Sequence, residues 1–189
     1  SIYKKFIGRK KDDKINASFL NENKKAGFTE KISVWIRGNF FIPDARKFWI
    51  KPSIRFLSNY VIKNNINIVI SSGPPHSMHL IALNLKLLNP NLKWIADFRD
   101  PWTNIDFYDK LMLSTFADAK HKRLEKNVLQ EADIVVSVGN SMSEEFKEIV
   151  KQDSSNSLEK FKVITNGFDT DDLNEVDFVK DTKFSLAHI

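Results

Sequence analysis

Four short runs with apolar residues, at residues 66–70, 93–98, 133–138 and 161–165, all but the second rich in β-branched residues, are separated by stretches whose apolar residues recur at helical spacing. This alternation constrains the fold more than any other feature, because parallel strands can only be joined by long crossovers, usually helical. Helices are predicted over 52–63, 77–88 and 141–150, and a longer one, kinked at Ser114-Thr115, over 107–131. Pro52 suits a first helical turn, with Ile54, Leu57 and Val61 behind it, and Asn64-Asn65 end that helix. Asn89-Pro90 closes the second, and Ser141 with Glu144 three residues on reads as the N-cap of the last. The order β-α-β-α-β-α-β predicts an α/β domain built on a parallel sheet with right-handed crossovers. The nearly all-apolar run 66–70 predicts a strand buried on both faces.

At 189 residues, 42% hydrophobic and 28% charged, the chain is long enough for one domain with a substantial core. Residues 1–44 form a basic segment, partly irregular, in which Ile32, Val34, Trp35, Ile36, Phe40 and Phe41 make an amphipathic stretch that periodicity leaves open between helix and strand. Residues 45–169 hold the α/β domain. Beyond it, residues 170–189 read as an acidic linker followed by Phe184-Ser185-Leu186-Ala187-His188-Ile189, the opening of a further strand. With Ser at position 1 as well, both ends are expected to be cuts through a longer protein.

The absence of cysteine excludes disulfides and thiolate metal sites, and the four histidines lack a HExxH-type spacing, so no metal is expected. No apolar run approaches the roughly 20 residues that cross a bilayer. The first residues carry no signal-peptide pattern, so a cytoplasmic location is expected. The net charge of +5, concentrated in Lys4, Lys5, Arg9, Lys10, Lys11 and Lys14, is compatible with nucleic acid, an anionic membrane face, phosphorylated substrates or a merely solvated surface. With no RNP-type segment and no recognition helix, nucleic acid is not expected as a partner.

Two strand ends carry chemistry. In Ala96-Asp97-Phe98-Arg99-Asp100-Pro101-Trp102, Pro101 must end the ladder and leave the charged side chains at the rim where open α/β sheets bind ligands. Asp97 and Arg99 fall on one face of the strand, and an arginine fork can hold a carboxylate or phosphate, or simply bridge to a neighbouring aspartate. In Ser71-Ser72-Gly73-Pro74-Pro75-His76-Ser77, the glycine permits close backbone approach to a ligand and the helix start offers free N–H groups to an anion. His76 can bind substrate or act as a packing residue. Glu125 reads as part of a solvated helix face, and Asn166-Gly167 as a turn with positive φ at the glycine.

These segments, together with Leu124-Glu125, Ala132-Asp133-Ile134-Val135-Val136-Ser137-Val138 and Val163-Ile164-Thr165-Asn166-Gly167-Phe168-Asp169, resemble family 4 glycosyltransferases of the GT-B fold, most of all the bacterial members that build surface polysaccharides. The resemblance covers residues from about 45 to 189. It implies a Rossmann-like parallel sheet flanked by helices, forming part of an N-terminal, acceptor-side domain. It further implies retaining transfer from a nucleotide-sugar donor to a polysaccharide or lipid-linked acceptor, with no metal or other cofactor. Arg99 and Asp100 fall at the family's reaction centre with Asp97 beside them, while Ser72, Gly73, Pro74 and His76, with Trp102, fall on the acceptor side. Asn166, Gly167 and Asp169 would face the donor domain across the hinge.

Two departures matter: the family's first strand with its glycine-rich loop has no counterpart before residue 45, and its donor domain would lie beyond Ile189. The fragment alone is therefore expected to be inactive. A non-catalytic module binding a nucleotide sugar or phosphoglycan, and a GT-B epimerase, are the rival readings. The basic N-terminus and exposed aromatics such as Trp49 or Trp102 would suit peripheral contact with the inner face of the plasma membrane.

Overall fold

The computed structural model describes residues 28–151 and 157–167. Its elements are α1 (Phe28–Phe40), α2 (Ile50–Lys63), β1 (Ile68–Gly73), α3 (Ser77–Leu88), β2 (Lys93–Phe98), α4 (Thr115–Glu131), β3 (Ile134–Ser137), α5 (Asn140–Val150) and β4 (Phe161–Val163). The four strands form one parallel sheet in the order β1-β2-β3-β4, with Gly73 opposite Phe98, Phe98 opposite Ser137 and Ser137 opposite Val163 at the C-terminal rim. The fold is therefore α/β with a four-stranded parallel sheet and flanking helices, consistent with a Rossmann-like arrangement.

Consecutive strands always step to the same side, and crossovers of one hand that do so deliver every connecting helix to the same face. Accordingly Trp94, Ala96, Phe98, Val135 and Phe161 point into a single core with Leu80 and Leu83 of α3, Val128 and Leu129 of α4, and Phe146 and Val150 of α5. Helix α2 extends this layer: its Val61 packs with Ile81, Leu85 and Leu92, flanked by Ile54 and Leu57. The other face carries Ile68, Ile70 and Ser72, then Ile95 and Asp97, then Ile134 and Val136. Ile68 and Ile70 remain 59% and 68% exposed, which corrects the expectation of a strand buried on both sides. An all-apolar run satisfies two faces only when crossovers go to both. Among the described residues they go to one.

Several boundaries also differ. Strand β1 runs on through Ser71-Ser72-Gly73, and β4 stops at Val163. The predicted 107–131 helix begins only at Thr115, where the Ser114 hydroxyl accepts the Ala117 N–H at 3.2 Å. The residues before it form a turn with a 3-10 segment, Asp109–Leu111. Helix α5 starts one residue early, after an extended Gly139, and Ser141 makes no cap.

The amphipathic stretch left open by periodicity is helix α1. It docks on the loop before α4: Asn39 donates to the Met112 carbonyl at 3.1 Å and accepts the Ser114 N–H at 2.7 Å. A Cβ on Gly38 would lie 2.7 Å from Leu113 Cδ2 and 2.9 Å from the Leu111 carbonyl oxygen, so that crossing needs a glycine. No helix among the described residues is long and apolar enough to cross a membrane.

Candidate functional site

Charges at the two ends of the sheet are treated differently. At the N-terminal end, the Asp133 carboxylate accepts the Trp94 N–H at 2.8 Å and pairs with Lys86 at 2.8 Å and Lys93 at 3.3 Å. Partial burial pulls its carboxyl upward, but these three donors outweigh that and hold it below the ordinary range. This end is a structural clamp.

At the C-terminal rim the polar groups stay accessible. Ser72, on the open face, donates its hydroxyl hydrogen to Asp97 Oδ2 at 2.6 Å. The Arg99 N–H bonds the Gly73 carbonyl at 2.9 Å, prolonging the β1-β2 ladder by one step and fixing where the arginine leaves the sheet. Its guanidinium reaches past the end of β3 to the side-chain oxygen of Asn166, beyond β4. Among the described residues no carboxylate forms an ion pair with Arg99, so the bridge to an aspartate weighed in the sequence is not the contact made. Arg99, Asp100, Asn166 and Gly167 are all exposed. Gly167 does not adopt the left-handed φ expected of it. Asp169 lies outside the described residues, as do the linker and further strand predicted after it.

The loop after β1 departs from expectation. The start of α3 is not open to an anion: Asp44, from far earlier in the chain, accepts the Ser77 N–H on Oδ2 at 2.7 Å and the Arg46 N–H on Oδ1 at 2.8 Å. A carboxylate of the chain itself thus occupies the position where helix amides and dipole favour negative charge. The glycine serves packing. A Cβ on Gly73 would fall 2.6 Å from Nε2 of His79, a fully buried ring, so the close approach at this position is by a core histidine. Pro74 stays exposed beside it.

His76 and Trp102, expected to face substrate, are core residues. Trp102 is 3% exposed, contradicting its reading as an exposed aromatic, and its ring lies parallel to His76 at 4.6 Å between centroids. His79 stacks on Phe98 at 4.3 Å, and the Trp94 indole N–H donates to Ser71 Oγ at 2.9 Å, which bonds His79 Nδ1 at 2.8 Å. The Trp102 indole N–H donates to His121 Nδ1 at 3.1 Å, which leaves the proton of that neutral ring on Nε2. Burial pushes His76 down to about 4 and His79 down to about 3, in the second case helped by His76 itself. All three imidazoles are held neutral near pH 7; the apolar neighbours Met78, Leu80 and Ile81 marked His79 as a core residue, whereas His76 beside Pro75 and Ser77, and His121 between two lysines, carried no such signal.

Glu125 is also a correction. It is 1% exposed, not solvated, and accepts from the Thr103 N–H at 3.3 Å and the Thr103 hydroxyl at 2.5 Å, tying the loop after β2 to α4. Burial pushes its carboxyl up against the pull of these donors. It borders a groove of about 430 Å³ shared with Asn104, Glu144, Glu145 and Phe146. Local charge density hid it: Lys122, Arg123 and Lys126 surround it in sequence while α4 turns it inward.

Of the predicted residues, the rim therefore gathers Ser72, Asp97, Arg99, Asp100 and Asn166, whereas His76 and Trp102 belong to the core beneath it. Among the described residues no three His, Asp or Glu side chains converge as a metal site requires. Compared with known proteins, the chain matches no family model, no curated protein and no solved structure.

Proposed function

We propose that the C-terminal rim of the sheet is the acceptor-side half of a retaining glycosyltransferase site, acting on a nucleotide-sugar donor and a glycan or lipid-linked acceptor. The observation that carries this reading is an accessible Arg99 held by the neutral amide of Asn166, near an Asp97 that is already hydrogen-bonded by Ser72. An arginine whose partner is neutral keeps its full charge for an incoming anion, and its exchange of Asn166 for a phosphate oxygen turns a bond to a neutral acceptor into an ion pair. Sugar transfer needs such a group, because negative charge grows on the departing diphosphate as the anomeric bond breaks.

Asp97 serves the other partner in this scheme. With one oxygen committed to Ser72, its carboxylate is oriented and retains acceptor capacity for a hydroxyl of the acceptor or of the sugar, and Asp100 lies one residue past Arg99 on the same loop. The donor half of the cleft would come from chain beyond Ile189, as the resemblance implies. The reading is tested in the full reading frame by product analysis over a panel of nucleotide sugars. Arg99→Ala is expected to lower kcat/KM by about 100-fold or more, the scale of losing one preorganised charge-stabilising donor. Asp97→Ala and Asp100→Ala with turnover intact, or a wild-type protein that transfers no sugar from any donor, would overturn it.

A further inference from the structure

Asn166-Gly167 is the one Asn-Gly pair in the sequence, and the structure leaves it open to a reaction within the chain. Thr165, Asn166 and Gly167 are all exposed and follow the end of β4. The last backbone tether before them is the Ile164 N–H, which donates to the Ser137 carbonyl at 2.9 Å. Among the described residues the Gly167 N–H has no acceptor, and a Cβ built on that glycine would meet nothing within 4 Å. The Asn166 side chain is held on one side only: Oδ1 accepts from the Arg99 guanidinium, and Nδ2 makes no hydrogen bond to a described residue. A glycine nitrogen, unhindered by a side chain, therefore follows an amide whose carbonyl is polarised by a cation and whose nitrogen is free to leave.

We propose that Asn166 is a site of spontaneous deamidation, at which a neutral amide becomes a carboxylate that captures Arg99. The Gly167 nitrogen gives its proton to solvent hydroxide and attacks Asn166 Cγ, closing a succinimide ring. Negative charge collects on Oδ1, where the Arg99 guanidinium donates. The Cγ–Nδ2 bond then breaks, and the nitrogen takes a proton from water and leaves as ammonia. Water opens the ring at Cγ to give aspartate, or at the main-chain carbonyl to give isoaspartate. Either product carries a carboxylate ionised at neutral pH. Arg99 then faces an anion of its own chain, and its bond to a neutral acceptor becomes an ion pair. An incoming phosphate must displace that partner and approach a second negative charge. The weaker hold on a diphosphate rests on the sugar-transfer reading of the rim; the conversion and the capture of Arg99 do not.

The test is incubation of the full 189-residue chain near neutral pH beside a synthetic peptide of residues 164–169, followed by peptide mass mapping, isoaspartyl detection and released ammonia. Asn166 is expected to convert no more slowly than in the peptide. Asn140, also exposed and followed by Ser141 but held in the first turn of α5, should remain an amide. Arg99→Gln is expected to slow conversion by about tenfold, less than the roughly 100-fold for a donor shielded from water. Asn166→Asp carries the product's charge and should slow exchange of the Arg99 Nη protons, read by NMR, by about two- to fivefold, the range of an exposed ion pair. With charge repulsion added, it should weaken binding of inorganic pyrophosphate by about tenfold. Asn166→Gln should do neither. These positions are exposed, and an unchanged thermal midpoint shows that each variant folds. The proposal is overturned if Asn166 outlasts the peptide, if Arg99→Gln converts as fast as the wild type, or if Asn166→Asp leaves Arg99 exchange unchanged. Conversion with Arg99 captured but pyrophosphate binding unaltered would uphold the modification and overturn the anion role given to Arg99.

Discussion

The two faces of the sheet are made from the same strands and behave as different materials. On the helix-covered face, Trp94, Ala96 and Phe98 are wholly buried, and even the polar groups there, Ser71, His79 and His121, are stacked or hydrogen-bonded into the packing. One residue out of phase, Ile70, Ile95 and Asp97 face outward on strands whose neighbours are sealed. Apolar character alone does not bury a residue; the side to which the crossovers deliver their helices does.

Truncating one residue on each face should give very different losses. Phe98→Ala removes a ring packed on His79 and Phe146 and is expected to cost about 3–5 kcal/mol. Ile70→Ala, at a site 68% exposed, should stay within about 0.5 kcal/mol. Urea unfolding of both variants checks the difference, and comparable losses would mean that the open face is covered in solution.

Acid distinguishes the faces next. His76 and His79 titrate lower in the folded chain than the ordinary 6.5, so below that value the unfolded chain takes up more protons than the folded one. Their neutral forms favour folding above about pH 6.5, and stability is lost as pH falls from there toward about 4 and 3. The loss is on the order of 3 kcal/mol for His76 alone. Glu125 works in the opposite sense: its raised folded value means that its contribution is present at low pH and is lost as pH rises through that value. Denaturation midpoints from pH 4 to 8 should therefore rise with pH. In Glu125→Gln they should rise more steeply toward neutrality, because the opposing group is gone. A flat wild-type profile would mean that the imidazoles are solvated.

Gly73→Ala probes the seam between the faces. A methyl group 2.6 Å from a fully buried imidazole forces either the ring or the strand to shift, at about 1–3 kcal/mol. If the glycine serves a ligand instead, stability would hold while activity of the full-length protein falls.

Much of this arrangement is legible from residue patterns. Strand β2 lies where the apolar and aromatic residues Trp94, Ile95 and Phe98 predict it, and α2 and α3 end at Asn64 and Asn89, which compete for backbone hydrogen bonds and so favour termini. Asn65, just past α2, takes the left-handed conformation that asparagine tolerates. The rim was equally readable, since Pro101 stops the β2 ladder just beyond a cluster of charges. Less legible was anything that depends on a distant partner. Asp44 reads as a turn residue because nothing local reveals that it caps a helix 33 positions on. His76, Trp102 and Glu125 are polar or amphipathic groups whose burial is decided by elements that pack over them.

By itself, then, the sequence determined the alternation of strands and helices, the parallel sheet that alternation requires, and the end of the sheet where charge gathers. These are local or periodic properties, written into propensities and breakers within a few residues of one another. Only the tertiary structure decided which face of each strand is sealed, and that Arg99 meets Asn166 while Asp44 fills the start of α3. Each of those outcomes depends on which distant segment arrives at a given point in space. The free energy of burial and pairing is a property of that meeting and not of any one residue.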